Sequence, residues 1–405
     1  MGSLDTKQQP LSKGKLLGIS GTAWMFDAMD VGILSFIIAA LAVDWNLTSS
    51  EMGWIGSMNS IGMAVGAFVF GVLADRIGRK NVFMITLVLF SVASGLSALT
   101  TTLAAFLILR FFVGAGLGGE LPVASTLVAE SVEAHERGKM VVLLESFWAA
   151  GWLLAALIAY FIIPDYGWRI ALLLTALPAF YAIYLRRNLP DSPKYEKEGA
   201  PKQGVFEKIR LVWSKPYARR TTMLWIVWFS VVFSYYGMFL WLPSVMMGKG
   251  FDMIQSFGYV LLMTLAQLPG YFTAAWLIER AGRKFVLSAY LIGTAGSALA
   301  FGSATTAVGL LTAGAFLSFF NLGAWGALYA YSPEQYPTQI RATGSGMAAS
   351  VGRVGGIFGP LLVGWMLTAG FDYPIIFGVF CGSILIGVLA VIFLGTETKQ
   401  QELES

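Results

Sequence analysis

The chain is nearly without histidine and cysteine: His135 and Cys381 are the single examples among 405 residues. A lone cysteine excludes an intrachain disulfide and a cysteine-based metal site, and a lone histidine in a polar loop excludes an imidazole cluster. Charge is scarce too. Charged residues make up 12% of the chain, against about 25% in soluble domains. No glycine-rich nucleotide loop and no nucleophile–base pair is visible, which makes an enzyme a remote reading and leaves no cofactor to expect. The stretch up to Lys15 is polar and lacks the apolar region and cleavage site of a removable signal peptide. What abounds is apolar surface. Hydrophobic residues reach 57%, too many for one globule to hide from water, and the lipid bilayer is the solvent that fits. Glycine is plentiful, at 46, and the spacings Gly62/Gly66, Gly114/Gly118 and Gly352/Gly356 suit close approach of helices in a membrane.

Twelve apolar segments of spanning length can be drawn, near 16–42, 52–74, 81–100, 103–128, 139–163, 170–188, 221–247, 254–278, 285–303, 308–331, 342–366 and 374–395. Lipid gives backbone groups no partners, so spans must be helices or a closed barrel. These are too long and too evenly apolar for barrel strands. The expected fold is therefore an all-α membrane protein of twelve transmembrane helices in two pseudo-symmetric six-helix bundles. Lys and Arg crowd the even-numbered turns and the centre of the chain, whereas the odd-numbered turns hold little beyond Arg169 and Lys249. By the positive-inside rule both termini are cytoplasmic. The expected organisation is a tail at 1–15, a bundle at 16–188, a cytoplasmic loop at 189–220, a bundle at 221–395 and a tail at 396–405. Val205, Ile209 and Val212 could line one side of an amphipathic helix in that loop. The basic runs read as topology signals, and no basic domain stands free of the membrane to bind nucleic acid.

The two halves repeat each other. Asp75-Arg76-Ile77-Gly78-Arg79-Lys80 closes the second span, and Glu279-Arg280-Ala281-Gly282-Arg283-Lys284 answers it at an offset of about 204 residues. Glu130 and Glu334, and Arg137 and Arg341, stand at the same offset. Gly71-x3-Asp75-Arg76-x-Gly78-Arg79-Lys80, its echo, the Arg110-x3-Gly114 start of the fourth span and the two Glu/Arg pairs resemble the signatures of the major facilitator superfamily. Phe147-Trp148-x2-Gly151, Tyr235-Tyr236-Gly237, and Trp325 followed by Glu334-x-Tyr336-Pro337 resemble its branch of organic-ion carriers and synaptic-vesicle-2-like proteins. Within that branch FDAMDVGILSF, RFFVGAGLGGELPVAST and PEQYPTQIRATGSG look most like bacterial niacin permeases. The resemblance implies a secondary transporter of the cell membrane, monomeric, taking nicotinate or nicotinamide, with alternating access by rocking of the halves. It also implies that Asp75, Arg76, Arg79, Glu130, Arg137, Glu279, Arg283, Glu334 and Arg341 form cytoplasmic clusters that gate the halves. Other aromatic acids, an organic cation, or ligand binding without transport stay open beside this reading.

Six ionisable residues fall inside the spans: Asp27, Asp30, Arg110, Glu120, Glu145 and Arg353. A charge at mid-bilayer costs at least ~2.5–3.5 kcal/mol, so such residues should face the interior and find partners. Asp27 and Asp30 share a face of the first span. Two buried acids so close favour a proton on one of them, and Arg110 is the natural counter-ion, closer in depth to Asp30. Proton coupling through this group stands beside a static clamp between the first and fourth spans. Glu120, in a Gly-Gly-Glu-Leu-Pro break, is a second proton site or another partner for Arg110. Glu145 is a further proton-coupling candidate, or structural, on one stripe with Trp148 and Trp152 and beside Gly151. Arg353 has no second-half acid at its depth and its planar fork suits a substrate carboxylate. Trp148, Tyr235, Tyr236, Trp325 and Tyr329 would supply aromatic plates for a flat ring, and Gln267 and Asn321 would bond the ring nitrogen or the carboxyl group.

Overall fold

A computed structural model describes residues 13–77, 79–131, 137–181, 184, 205–337 and 339–399. His135 and most of the central loop lie outside this set. The helices are α1 (Lys13–Asp44), α2 (Ser49–Ile77), α3 (Arg79–Ser97), α4 (Leu103–Ser131), α5 (Arg137–Leu174), α6 (Val205–Val212), α7 (Lys215–Phe239), α8 (Leu242–Gly248), α9 (Met253–Leu265), α10 (Gln267–Ala281), α11 (Arg283–Ser303), α12 (Ala307–Glu334), α13 (Arg341–Thr368) and α14 (Tyr373–Leu394). Among the described residues nine helical stretches are long and apolar enough to cross a membrane. One of them, Leu143–Tyr181, holds two spans either side of Gly167, whose φ of 79° only glycine adopts easily. With the shorter apolar helices Asn81–Ser97 and Leu103–Gly118 these make twelve.

Several boundaries depart from expectation. The seventh span starts at Lys215, not 221, with Ser214 at its N-cap and Pro216 in its first turn. It then breaks before Trp241, and Pro243 opens the short α8. The eighth breaks at Ala266, a turn ahead of Pro269-Gly270. Pro269 has no N–H to give the Leu265 carbonyl, so the defect falls four residues earlier. The expected free tail after 395 is partly docked. Tyr331 and Gln335 donate to the Thr396 carbonyl at 2.7 and 3.3 Å, and Glu397 accepts from the backbone N–H groups of Arg283 and Lys284 at 2.9 and 3.1 Å.

Each half packs by one plan. α1 lies on α5 as α7 lies on α13, and α3 lies on α4 as α11 lies on α12. The α2–α4 crossing depends on absent side chains. A Cβ on Gly62 or Gly66 would strike the carbonyls of Phe111 or Ala115, and one on Gly114 or Gly118 would strike those of Asn59 or Met63. Gly114→Val is therefore expected to lower stability by at least ~1–3 kcal/mol through overpacking. Thermal unfolding in detergent would check this, with Gly18→Ala as control because nothing lies within 4 Å of that site. Side chains such as Phe68, Leu99, Phe180 and Val308 stay exposed on the outside, where lipid would meet them.

Arg169 and Lys249, the two cations at the sparsely charged end, are helix caps. Arg169 donates to the carbonyls of Ala98 and Thr100 at 2.8 and 2.7 Å, and Lys249 to those of Gly302 and Ala304 at 2.9 and 2.8 Å. Each satisfies orphan carbonyls at a helix C-terminus, where the macrodipole favours a cation.

The halves meet from mid-bundle to this same end. Ser57 donates to the Ile357 carbonyl at 2.6 Å, a Cβ on Gly53 would press on Pro360, one on Gly364 would press on Ser49, and Phe36 meets Phe257 edge to face at 5.1 Å. The opposite end carries the basic turns, where Arg220 donates to the Gln335 carbonyl at 3.1 Å.

Candidate functional site

A cavity lies where the halves meet at mid-bundle. The first half contributes Trp24 from α1 and Glu145 and Trp148 from α5. The second contributes Tyr236 from α7, Tyr271 from α10, Trp325 and Tyr329 from α12, and Arg353 from α13. Its volume is about 20 Å³, the space one ordered water needs. The walls are mutually packed rings: Trp24 on Trp148 at 5.1 Å and Trp325 stacked on Tyr329 at 5.7 Å. Arg353 and the Tyr236 hydroxyl both reach the Met63 sulfur, at 3.8 and 3.7 Å.

Toward the closed end the cavity has an aromatic cover. Trp148 Nε1 donates to the Tyr235 hydroxyl at 2.9 Å across the two halves. Tyr235 stacks on Phe239 at 4.9 Å, and Trp152 meets both edge on at 6.1 and 6.0 Å. Tyr235 thus belongs to this cover and not to the wall expected of it.

Two further expectations shift. Gly151 faces α1: a Cβ there would strike the Met25 carbonyl and Ala28, so its part is close helix packing. Gln267 and Asn321 do not line the cavity; they sit one turn from Tyr271 and Trp325, on the side of the closed end. Both amides are buried and make no hydrogen bond to another described residue. Trp24 and Met63 are the wall and contact residues that sequence reasoning missed. Trp24 had a signal, standing three residues before Asp27 on one face, whereas nothing in the local pattern marks Met63.

Asp30 and Arg110 are fully buried with Arg110 Nη1 3.5 Å from Asp30 Oδ2, an ion-pair distance longer than a good hydrogen bond. Ser94 bridges them, donating to Asp30 Oδ1 at 2.6 Å and accepting from Arg110 Nη2 at 3.1 Å. Ser97 accepts from the same nitrogen at 3.0 Å and Thr175 lies 2.6 Å from Ser94. This network lies wholly within the first half. Asp27, one turn away on the same helix, is buried as well.

At the basic end Arg283 joins Glu279 at 2.9 Å and Glu334 at 3.1 Å. Thr398 donates to Glu334 at 2.5 Å, so the C-terminal segment completes the cluster. Gly282 turns there with φ 98°, and a Cβ on it would press on Glu397. Glu334 was expected beside Arg341; Arg341 donates to the carbonyls of Pro333 and Tyr336 at 3.1 and 3.3 Å. Helical backbone carries Asp75, Arg76, Arg79, Glu120, Glu130 and Arg137, whose side chains lie outside the described set.

The profile of the Major Facilitator Superfamily matches residues 22–270 and 256–405. The chain belongs to the major facilitator superfamily. As a major facilitator it is a multi-pass membrane transporter of a small molecule and not an enzyme. A Bacillus subtilis superfamily member named as a niacin/nicotinamide transporter is 68% identical over 98% of this chain and 100% of its own length. The niacin transporter NiaP of Acinetobacter baylyi is 48% identical over 96% of this chain and 95% of its own length. A synaptic vesicle 2-related protein of Xenopus laevis is 31% identical over 96% of this chain and 79% of its own length. Among solved structures, the xylose transporter XylE of E. coli shares the fold, with a TM-score of 0.78 at 19% identity over 96% of this chain and 99% of that one.

Proposed function

We propose that this transporter imports niacin into the cytoplasm, by proton symport with alternating access. The observation that carries the reading is the inter-half cavity, with aromatic walls and Arg353 at one edge, in a chain whose end-to-end relatives are named for niacin. Arg353 would take the nicotinate carboxylate on its planar fork, and Trp148, Tyr236, Trp325 and Tyr329 would hold the ring by offset and edge contacts, worth ~0.5–1.5 kcal/mol each beyond burial. A cavity with room for one water is a contracted form of such a site. The stacked Trp325 and Tyr329 rings must part to admit a pyridine. Gln267 and Asn321, one turn beyond the wall, would meet the substrate once the cover of Tyr235, Trp152 and Phe239 opens.

With the basic turns in the cytoplasm, as the positive-inside rule directs, the contacts near Ser57 and Gly364 close the outer side of the cell membrane. The inner side would open by rocking of one half on the other. Asp75, Arg76, Arg79, Glu130 and Arg137 would meet the Glu279–Arg283–Glu334 cluster and Arg341 when that side closes. Proton coupling is assigned to Asp30 with Arg110, with Asp27 as a second acid of the same helix. Glu120 is a further candidate.

Uptake of labelled nicotinate into proteoliposomes tests the whole reading. Uptake should rise when the outside is made acidic and collapse with an uncoupler, and nicotinamide should compete better than benzoate. Absence of any nicotinate counterflow would sink it.

A further inference from the structure

We propose that Glu145 selects for the ring nitrogen of the substrate, sharing one proton with it while Arg353 holds the carboxylate. This rests on the niacin reading above. The cavity lining holds one carboxyl and one guanidinium among aromatic rings. Arg353 enters from α13 and Glu145 from α5, so each half of the protein supplies one. Glu145 is 3% exposed and shares the cavity wall with Trp24, Tyr271 and Tyr329. Tyr329 lines the same cavity as both Glu145 and Arg353. Asp30 differs: it is sealed against Arg110 inside the first half and touches no ligand space. With Trp24 on one side, the Glu145 carboxyl keeps hydrogen-bonding capacity toward the cavity.

Nicotinate presents a carboxylate on one ring carbon and a nitrogen two atoms further round. A carboxylic acid O–H donates to a neutral pyridine nitrogen, and a pyridinium N–H donates to a carboxylate. The same proton lies between the same two atoms in either case. Benzoate places a C–H there and leaves the buried carboxyl without its partner, which is costly. Isonicotinate carries its nitrogen at the wrong angle from Arg353. The orphaned amides of Gln267 and Asn321 are the competing readers of the nitrogen, but they lie a turn beyond the wall.

The test compares wild type, Glu145→Ala and Glu145→Gln in proteoliposomes, with benzoate and isonicotinate as competitors of labelled nicotinate. Wild type should favour nicotinate. The alanine variant should narrow the nicotinate-to-benzoate ratio roughly 10- to 100-fold, the loss of one buried hydrogen bond to a charged group. The glutamine variant, whose amide can donate or accept, should keep the ratio within about threefold. A ratio unchanged in the alanine variant overturns the assignment, and so does an equal loss for both ligands, which a purely structural role would give. If the alanine variant fails to insert, loss of the ratio in the glutamine variant overturns it. A wild type silent to nicotinate would bring down the niacin reading itself, a result distinguishable from the others.

Discussion

Asp30→Asn is expected to abolish accumulation of substrate against its gradient while leaving exchange of labelled for unlabelled substrate intact. A gradient of ~1 pH unit supplies about 1.4 kcal/mol per proton, enough for a tenfold concentration ratio. The variant should equilibrate at equal concentrations inside and out. The reason is geometric. Asp30 is fully buried, its oxygens face Ser94 and Arg110, and its Arg110 contact is 3.5 Å, loose enough to reform as the carboxyl gains or loses a proton. When Asp30 is protonated, Arg110 retains the hydroxyls of Ser94 and Ser97, so the arginine is never stranded. Arg110→Ala should give the same transport defect with a further loss of folded protein, because an unpaired buried carboxylate costs ~3–5 kcal/mol. Proteoliposomes with an imposed pH gradient decide the matter: wild-type accumulation by Asp30→Asn would remove this group from the coupling path.

Arg353→Ala should raise the KM for nicotinate about 10- to 100-fold, since a hydrogen bond to a charged group contributes ~1.5–3 kcal/mol. Nicotinamide, which has no charge to offer, should suffer much less. Arg353→Lys should recover part of the loss, because an ammonium supplies the charge but not the two-pronged fork. A partner Arg353 has in hand is the Met63 sulfur, a weak competitor for a ligand carboxylate. Equal affinity for nicotinate in wild type and Arg353→Ala would place the carboxylate elsewhere.

The spans and the basic turns were legible because they are local: apolar runs of helical length, and a charge signature repeated at half-length. The Gly62/Gly66 and Gly114/Gly118 spacings also announced their use, and each pair sits against the other helix's backbone. What spacing could not decide was which neighbour a side chain chooses. Asp27 and Asp30 share a face of α1, and it took the fold to show that Asp30 meets Arg110 and Ser94. Gly151 stood in a motif with Trp148, but a residue without a side chain serves whichever helix comes nearest, and here that is α1. The docked segment Thr396–Lys399 was hidden for a different reason. Its hydrogen bonds run to Arg280, Arg283, Lys284, Tyr331, Glu334 and Gln335, all distant in sequence, and short polar tails carry no period to betray such partners.

The solitary sulfhydryl of Cys381 is buried among the apolar residues of α14. Thiol-directed dyes and spin labels should therefore meet almost no background on the native chain. A cysteine introduced at Ser49, which abuts Gly364 across the sealed mouth, could carry an environment-sensitive dye whose emission follows each opening of the molecule in real time.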